Sequence, residues 1–122
     1  METKKIRENG KYHIGMIGVD SGQIMIVDPC YLKDWKNNEY KGQTIRTGDF
    51  SYDGACRETV SKEKAGELGL LPDGSSAMAV VAASGYGDGS YDVFATYEGG
   101  RIKEIQIKFD CMMFLQHTKV EE

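Results

Sequence analysis

Three stretches hold the residues whose types and spacing could do chemistry. The densest is Ser84-Gly85-Tyr86-Gly87-Asp88-Gly89-Ser90-Tyr91-Asp92-Val93, where alternating glycines can turn backbone N–H groups toward an anion and two tyrosines offer rings to a planar ligand. The second is Asp28-Pro29-Cys30-Tyr31, which places a thiol just past a strand end. The third is His13, on the preceding strand. If Asp20-Ser21-Gly22 closes a hairpin, position 13 falls opposite 28 or 29, and His13, Asp28 and Cys30 become neighbours. A cysteine beside a histidine and a carboxylate is the minimum for a small hydrolase-like nucleophilic site.

Each chemistry makes demands that the sequence can be tested against. Dinucleotide-binding and P-loop glycine motifs are followed by a helix, whereas the residues from Ser90 onward alternate as a strand, and no lysine follows the glycines. A strand-loop-strand flap of the kinase type fits the local order, but the chain is too short for that fold. Asp88 would repel phosphate. Asp73, Asp88 and Asp92 do not have the alternating spacing of a calcium loop, and loop aspartates commonly cap their own turns. A zinc site would have to be assembled from Cys30, Cys56, Cys111, His13 and His117, none of which form a close pair. No metal or cofactor is implied. The catalytic reading also has no nameable oxyanion hole. The loop, with Tyr31, Gly85, Tyr86, Gly87, Asp88, Gly89 and Tyr91, is the better candidate for a site, as a surface that binds a small molecule or nucleotide. Arg46, Arg57 and Arg101 are its candidate anion partners. Glycine turns also serve sheets that bind nothing.

Composition narrows the setting. A chain of 122 residues, 40% hydrophobic and 28% charged, is expected to fold as one domain over 1–122, with ends 1–9 and 117–122 frayed. Nineteen acidic residues against 15 basic ones, the latter scattered except at the extreme N-terminus, argue against a nucleic-acid-binding face. No apolar run resembles a leader or a membrane span, and three widely spaced cysteines do not resemble a disulfide framework. The expectation is a cytoplasmic protein with reduced thiols.

The elements that position these residues are mostly strands. Tyr12–Val19 and Gln23–Val27 read as a first hairpin, ended by Asp28-Pro29, and Cys30–Trp35 reads as a helical turn. Thr44–Thr47 and Asp49–Tyr52 are short strand candidates. Ser61–Leu68 is rich in helix formers with Ser61 as N-cap, but Gly66 weakens it and Gly69 would stop it, so a short helix or turn is expected. Pro72-Asp73-Gly74 is a turn into the apolar strand Ala77–Ala83, and after the glycine loop a second hairpin turns at Glu98-Gly99-Gly100. The cluster Cys111–Leu115 reads as a last strand or a segment that docks on a neighbour, and with the apolar strands it suggests a homo-oligomer.

The fold expected is mainly β, a β-rich α+β arrangement. It would be a small antiparallel sheet, sandwich or partly open barrel with one or two short helices. The motifs Gly18-Val19-Asp20-Ser21-Gly22, Asp28-Pro29-Cys30-Tyr31 and Gly85-x-Gly87-Asp88-Gly89-Ser90-Tyr91 resemble those of a group of small bacterial and phage proteins built on a domain of unknown function. The resemblance implies a bacterial or phage origin and a compact β fold, and transfers no activity. The readings carried forward are a binding or interaction module, a small hydrolase-like enzyme, and a structural protein that oligomerises. The first is preferred, which makes an enzyme the lesser expectation.

Overall fold

In the computed structural model, residues 7–43 and 45–110 are described. The fold is mainly β and antiparallel, with two short helices and two three-stranded sheets that do not close into a barrel. The chain divides into two compact units, one formed by the residues up to Val19 and from Gly89 onward, the other by Asp20–Asp88. No helix among the described residues is long and apolar enough to cross a membrane. The expected apolar segment Cys111–Leu115 lies outside the described residues, as does His117.

The first unit is a sheet of β1 (Gly10–Val19), β5 (Gly89–Glu98) and β6 (Arg101–Ile107), in the order β1-β5-β6. The β5–β6 hairpin forms as the alternation of Tyr91, Val93, Ala95 and Tyr97 predicts. β1 pairs with β5 from Gly10↔Tyr97 to Val19↔Gly89, broken by a bulge between His13 and Gly15. Tyr91, Phe94 and Ala95 are buried. Tyr12 and Tyr97 meet edge to face at 5.4 Å, and the Arg7 guanidinium lies over both rings.

The second unit carries β2 (Gln23–Val27), a 3₁₀ turn (Pro29–Asp34), α1 (Tyr52–Thr59), β3 (Ala65–Leu70) and β4 (Ala77–Ala83), with sheet order β2-β4-β3. β4 is central, as its small apolar residues suggest. Leu68, Ala79 and Val81 form a core with Phe50 and Ala55, and Met25, Val27, Tyr31, Trp35 and Met78 pack around it. Trp35 meets Phe50 edge to face at 5.2 Å.

Three expectations are corrected here. First, β1 and β2 do not form a hairpin: they belong to different sheets, and each pairs with a strand far along the chain. Period-two alternation identifies a strand and its buried side but does not name its partner. Second, no strand forms over Ile45–Thr47 or Asp49–Tyr52; Thr44 lies outside the described residues. Ser51 instead caps α1, its hydroxyl accepting the Gly54 N–H at 2.9 Å, and Asp53 and Arg57 pair one turn apart along the helix. Third, of the short helix or turn expected from Ser61 only a turn forms: Ser61 follows the end of α1, its hydroxyl donating to the Glu58 carbonyl at 2.6 Å, the Lys64 N–H closes onto the Ser61 carbonyl at 3.1 Å, and β3 follows from Ala65. Gly66 in β3 leaves room for the Glu58–Arg46 ion pair, since a Cβ there would meet Glu58 Oε1 and Arg46 Nη2.

Candidate functional site

The glycine loop leaves β4 at Ser84, which is fully buried. The Ser84 N–H donates to the Gly22 carbonyl at 3.0 Å and its hydroxyl donates to the Gly87 carbonyl at 2.7 Å. Between these points the Tyr86 N–H closes a three-residue turn onto the Ser84 carbonyl at 2.7 Å, with Gly85 at φ +77° in the middle. A γ-turn of this sign is disfavoured for any residue with a Cβ, which accounts for Gly85. The consequence is a loop held from beneath that presents Tyr86 with 65% of its surface exposed. Asp88 is exposed beside it. Gly89 and Tyr91 belong to β5 in the other unit, where Tyr91 is buried edge to face against Phe109 at 5.3 Å.

The Asp28–Tyr31 turn has its own local logic. Asp28 is the N-cap of the 3₁₀ turn: its carboxylate accepts the Cys30 N–H at 3.0 Å, and its carbonyl accepts the Tyr31 N–H. Proline at the first position suits a turn that has no use for that N–H. Tyr31 packs onto the core. The Cys30 thiol is exposed, but residual desolvation and then the Asp28 carboxylate push its pKa up, away from the thiolate a nucleophile needs.

His13 is not placed opposite position 28. It sits across from Phe94 on β5, its Nε2 2.8 Å from Asp92 Oδ1 and its ring edge-on to Phe94 at 5.4 Å. The Lys11 and Lys108 ammonium groups also lie near the Phe94 ring, at 5.1 and 5.8 Å from its centre. The strand register therefore joins His13 to Asp92 and not to Asp28 or Cys30.

Of the three arginines put forward as anion partners, Arg46 and Arg57 are already engaged, and Arg101 is exposed at the start of β6 in the other unit. Arg46 donates from Nε to the buried Glu58 carboxylate at 2.7 Å and also pairs with Glu63, and these bonds, Glu63 first, raise its pKa. Arg57 is held by Asp53 at 2.9 Å. Asp73 caps its own turn: bonds from the Ser75 N–H and hydroxyl hold its carboxyl below the ordinary range. Cys56 is buried on α1, where Gln23 Nε2 donates to its sulfur at 3.5 Å and a bond to the same sulfur raises the Tyr52 phenol. No group of three or more His, Cys, Asp or Glu among the described residues is arranged to hold a metal ion. An open groove of about 540 Å³ lies on the first unit, lined by Gly10, Lys11, Thr96, Glu104, Ile105 and Gln106, away from the Tyr86 turn in sequence.

Sequence reasoning found the loop and missed Ser84 as its anchor. The available signal was a small hydroxyl residue between an apolar strand and a left-handed glycine, a place where a side chain often bonds to nearby backbone.

No curated protein and no solved structure matches the chain. The family model described as Protein of unknown function (DUF4241) matches residues 2–106, and the chain belongs to that family.

Proposed function

We propose that this chain is a recognition module, with Tyr86 as the anchor that contacts the surface of a protein partner. The observation that supports this reading is the contrast two residues apart: Ser84 is 0% exposed and doubly bonded, while Tyr86 is 65% exposed. A tyrosine held out from an already ordered turn offers a large amphipathic contact and loses little backbone entropy on binding. Adjacent Asp88 and the pairing of Arg46 and Arg57 with carboxylates disfavour a phosphate-bearing ligand at this loop.

The experiment is affinity purification from cells that express the protein natively, comparing the parent with Tyr86→Ala and with Val60→Ala, a control at another exposed apolar position. A component retained in fixed stoichiometry by the parent and Val60→Ala but lost from Tyr86→Ala is the expected result. Equal retention by all three, or retention by none, overturns the reading.

A further inference from the structure

Two three-stranded sheets leave four outer strands among the described residues, and three of them are blunted. The outer side of β3 is covered by the preceding loop: the Gly69 N–H donates to the Gly48 carbonyl at 2.7 Å and Arg46 Nη2 reaches the Ala65 carbonyl at 3.3 Å. β1 is broken by its bulge after His13. β6 carries Arg101, Lys103 and Glu104 and pairs with a bulge at its start. Bulges, charges and covering loops are the usual means of preventing edge-to-edge association.

β2 has none of them. Gln23-Ile24-Met25-Ile26-Val27 contains no charge, glycine or proline, and pairs with β4 in unbroken register along one side. Met25 and Val27 turn inward to the core, so Ile24 and Ile26 lie on the opposite face of the sheet beside Ala82 and Val80. That face stays open, with Ile26 60% and Val80 45% exposed.

We infer that β2 pairs antiparallel with β2 of a second copy of this chain, about a two-fold axis at Met25. The strand is self-complementary in that register. Ile24 of one copy meets Ile26 of the other, Gln23 meets Val27, and no like charges are opposed. The two sheets become one of six strands, β3-β4-β2-β2-β4-β3, and the four isoleucines form one apolar strip. The pairing uses residues 23–27 and not Tyr86, whose loop is tied to the neighbouring Gly22, so Ile26→Lys tests the pairing and Tyr86→Ala the recognition role.

The test is native mass spectrometry with light scattering over a concentration series, together with circular dichroism. The parent is expected at twice the 13.6 kDa chain mass. Ile26→Lys is expected to fold and run at the single-chain mass, because it replaces the isoleucine contacts across the pair and sets two lysines at diagonal positions of the strip, like charge beside like charge. Ile24→Glu combined with Ile26→Lys is expected to recover the doubled mass, since in this register each new lysine faces a new glutamate. Tyr86→Ala is expected to stay dimeric. A monomeric parent, a dimer that survives Ile26→Lys, or a folded double variant that remains monomeric overturns the pairing. Should Ile26→Lys fail to fold, hydrogen exchange of the parent decides: protection of the 23–27 amides that rises with concentration supports the interface, and concentration-independent exchange overturns it.

Discussion

The Ser84 hydroxyl donates to the Gly87 carbonyl at 2.7 Å, closing the base of the loop whose tip is Tyr86. Ser84 is fully buried and the bond part-buried, so removing the hydroxyl leaves the Gly87 carbonyl without that donor. Ser84→Ala is expected to cost about 1 kcal/mol by denaturant unfolding and to speed exchange of the 84–88 amides. Unchanged stability together with unchanged exchange would show that the hydroxyl does not hold the loop.

Glycine at position 66 makes room for the Glu58 carboxylate, which is buried on α1 and paired with Arg46. Gly66→Ala is expected to destabilise the fold by roughly 1–3 kcal/mol, since a Cβ must displace Glu58 Oε1 and Arg46 Nη2. Gly18→Ala is the control, because nothing lies within 4 Å of a Cβ there and its φ is not left-handed. It is expected to shift stability by less than about 0.5 kcal/mol. Equal effects at the two positions would contradict the close-approach explanation.

Cys30 is expected to alkylate slowly at neutral pH despite its exposure, because a raised thiol pKa lowers the thiolate fraction. The rate should climb with pH until the thiolate form dominates, with its midpoint above that of a free cysteine. Asp28→Asn removes the repelling carboxylate and should move the midpoint down. Site-resolved mass spectrometry across a pH series measures both. A rate at neutral pH faster than that of free cysteine would revive the hydrolase-like reading of this thiol.

Much of the fold was legible in local pattern, and its pairing was not. Alternation from Tyr91 to Tyr97, the turn at Gly99 and Gly100 and the uninterrupted run at Ala77–Ala83 gave strands where strands exist. The partners of β1 and β2 depend on contacts distant in sequence, so the adjacent-hairpin reading misplaced His13, and the observed register dissolves its constellation with Asp28 and Cys30. α1 was hidden because Tyr52–Thr59 includes a glycine and few apolar residues. It stands on the Ser51 cap, the Asp53–Arg57 pair and the packing of Ala55. At the candidate site the glycines and Tyr86 were visible in sequence. That Asp28 is a cap and Ser84 an anchor was only hinted at by residue type, because the backbone geometry selects the partner each side chain bonds.

Photo-crosslinking from position 86 in cells that express the protein natively tests the recognition role most directly, with p-benzoylphenylalanine replacing Tyr86 and, in a parallel sample, Val60. The account predicts a discrete adduct from position 86, absent from position 60 and suppressed when the unlabelled parent is co-expressed but not when unlabelled Tyr86→Ala is. No adduct from position 86, or the same adducts from both positions, would contradict it.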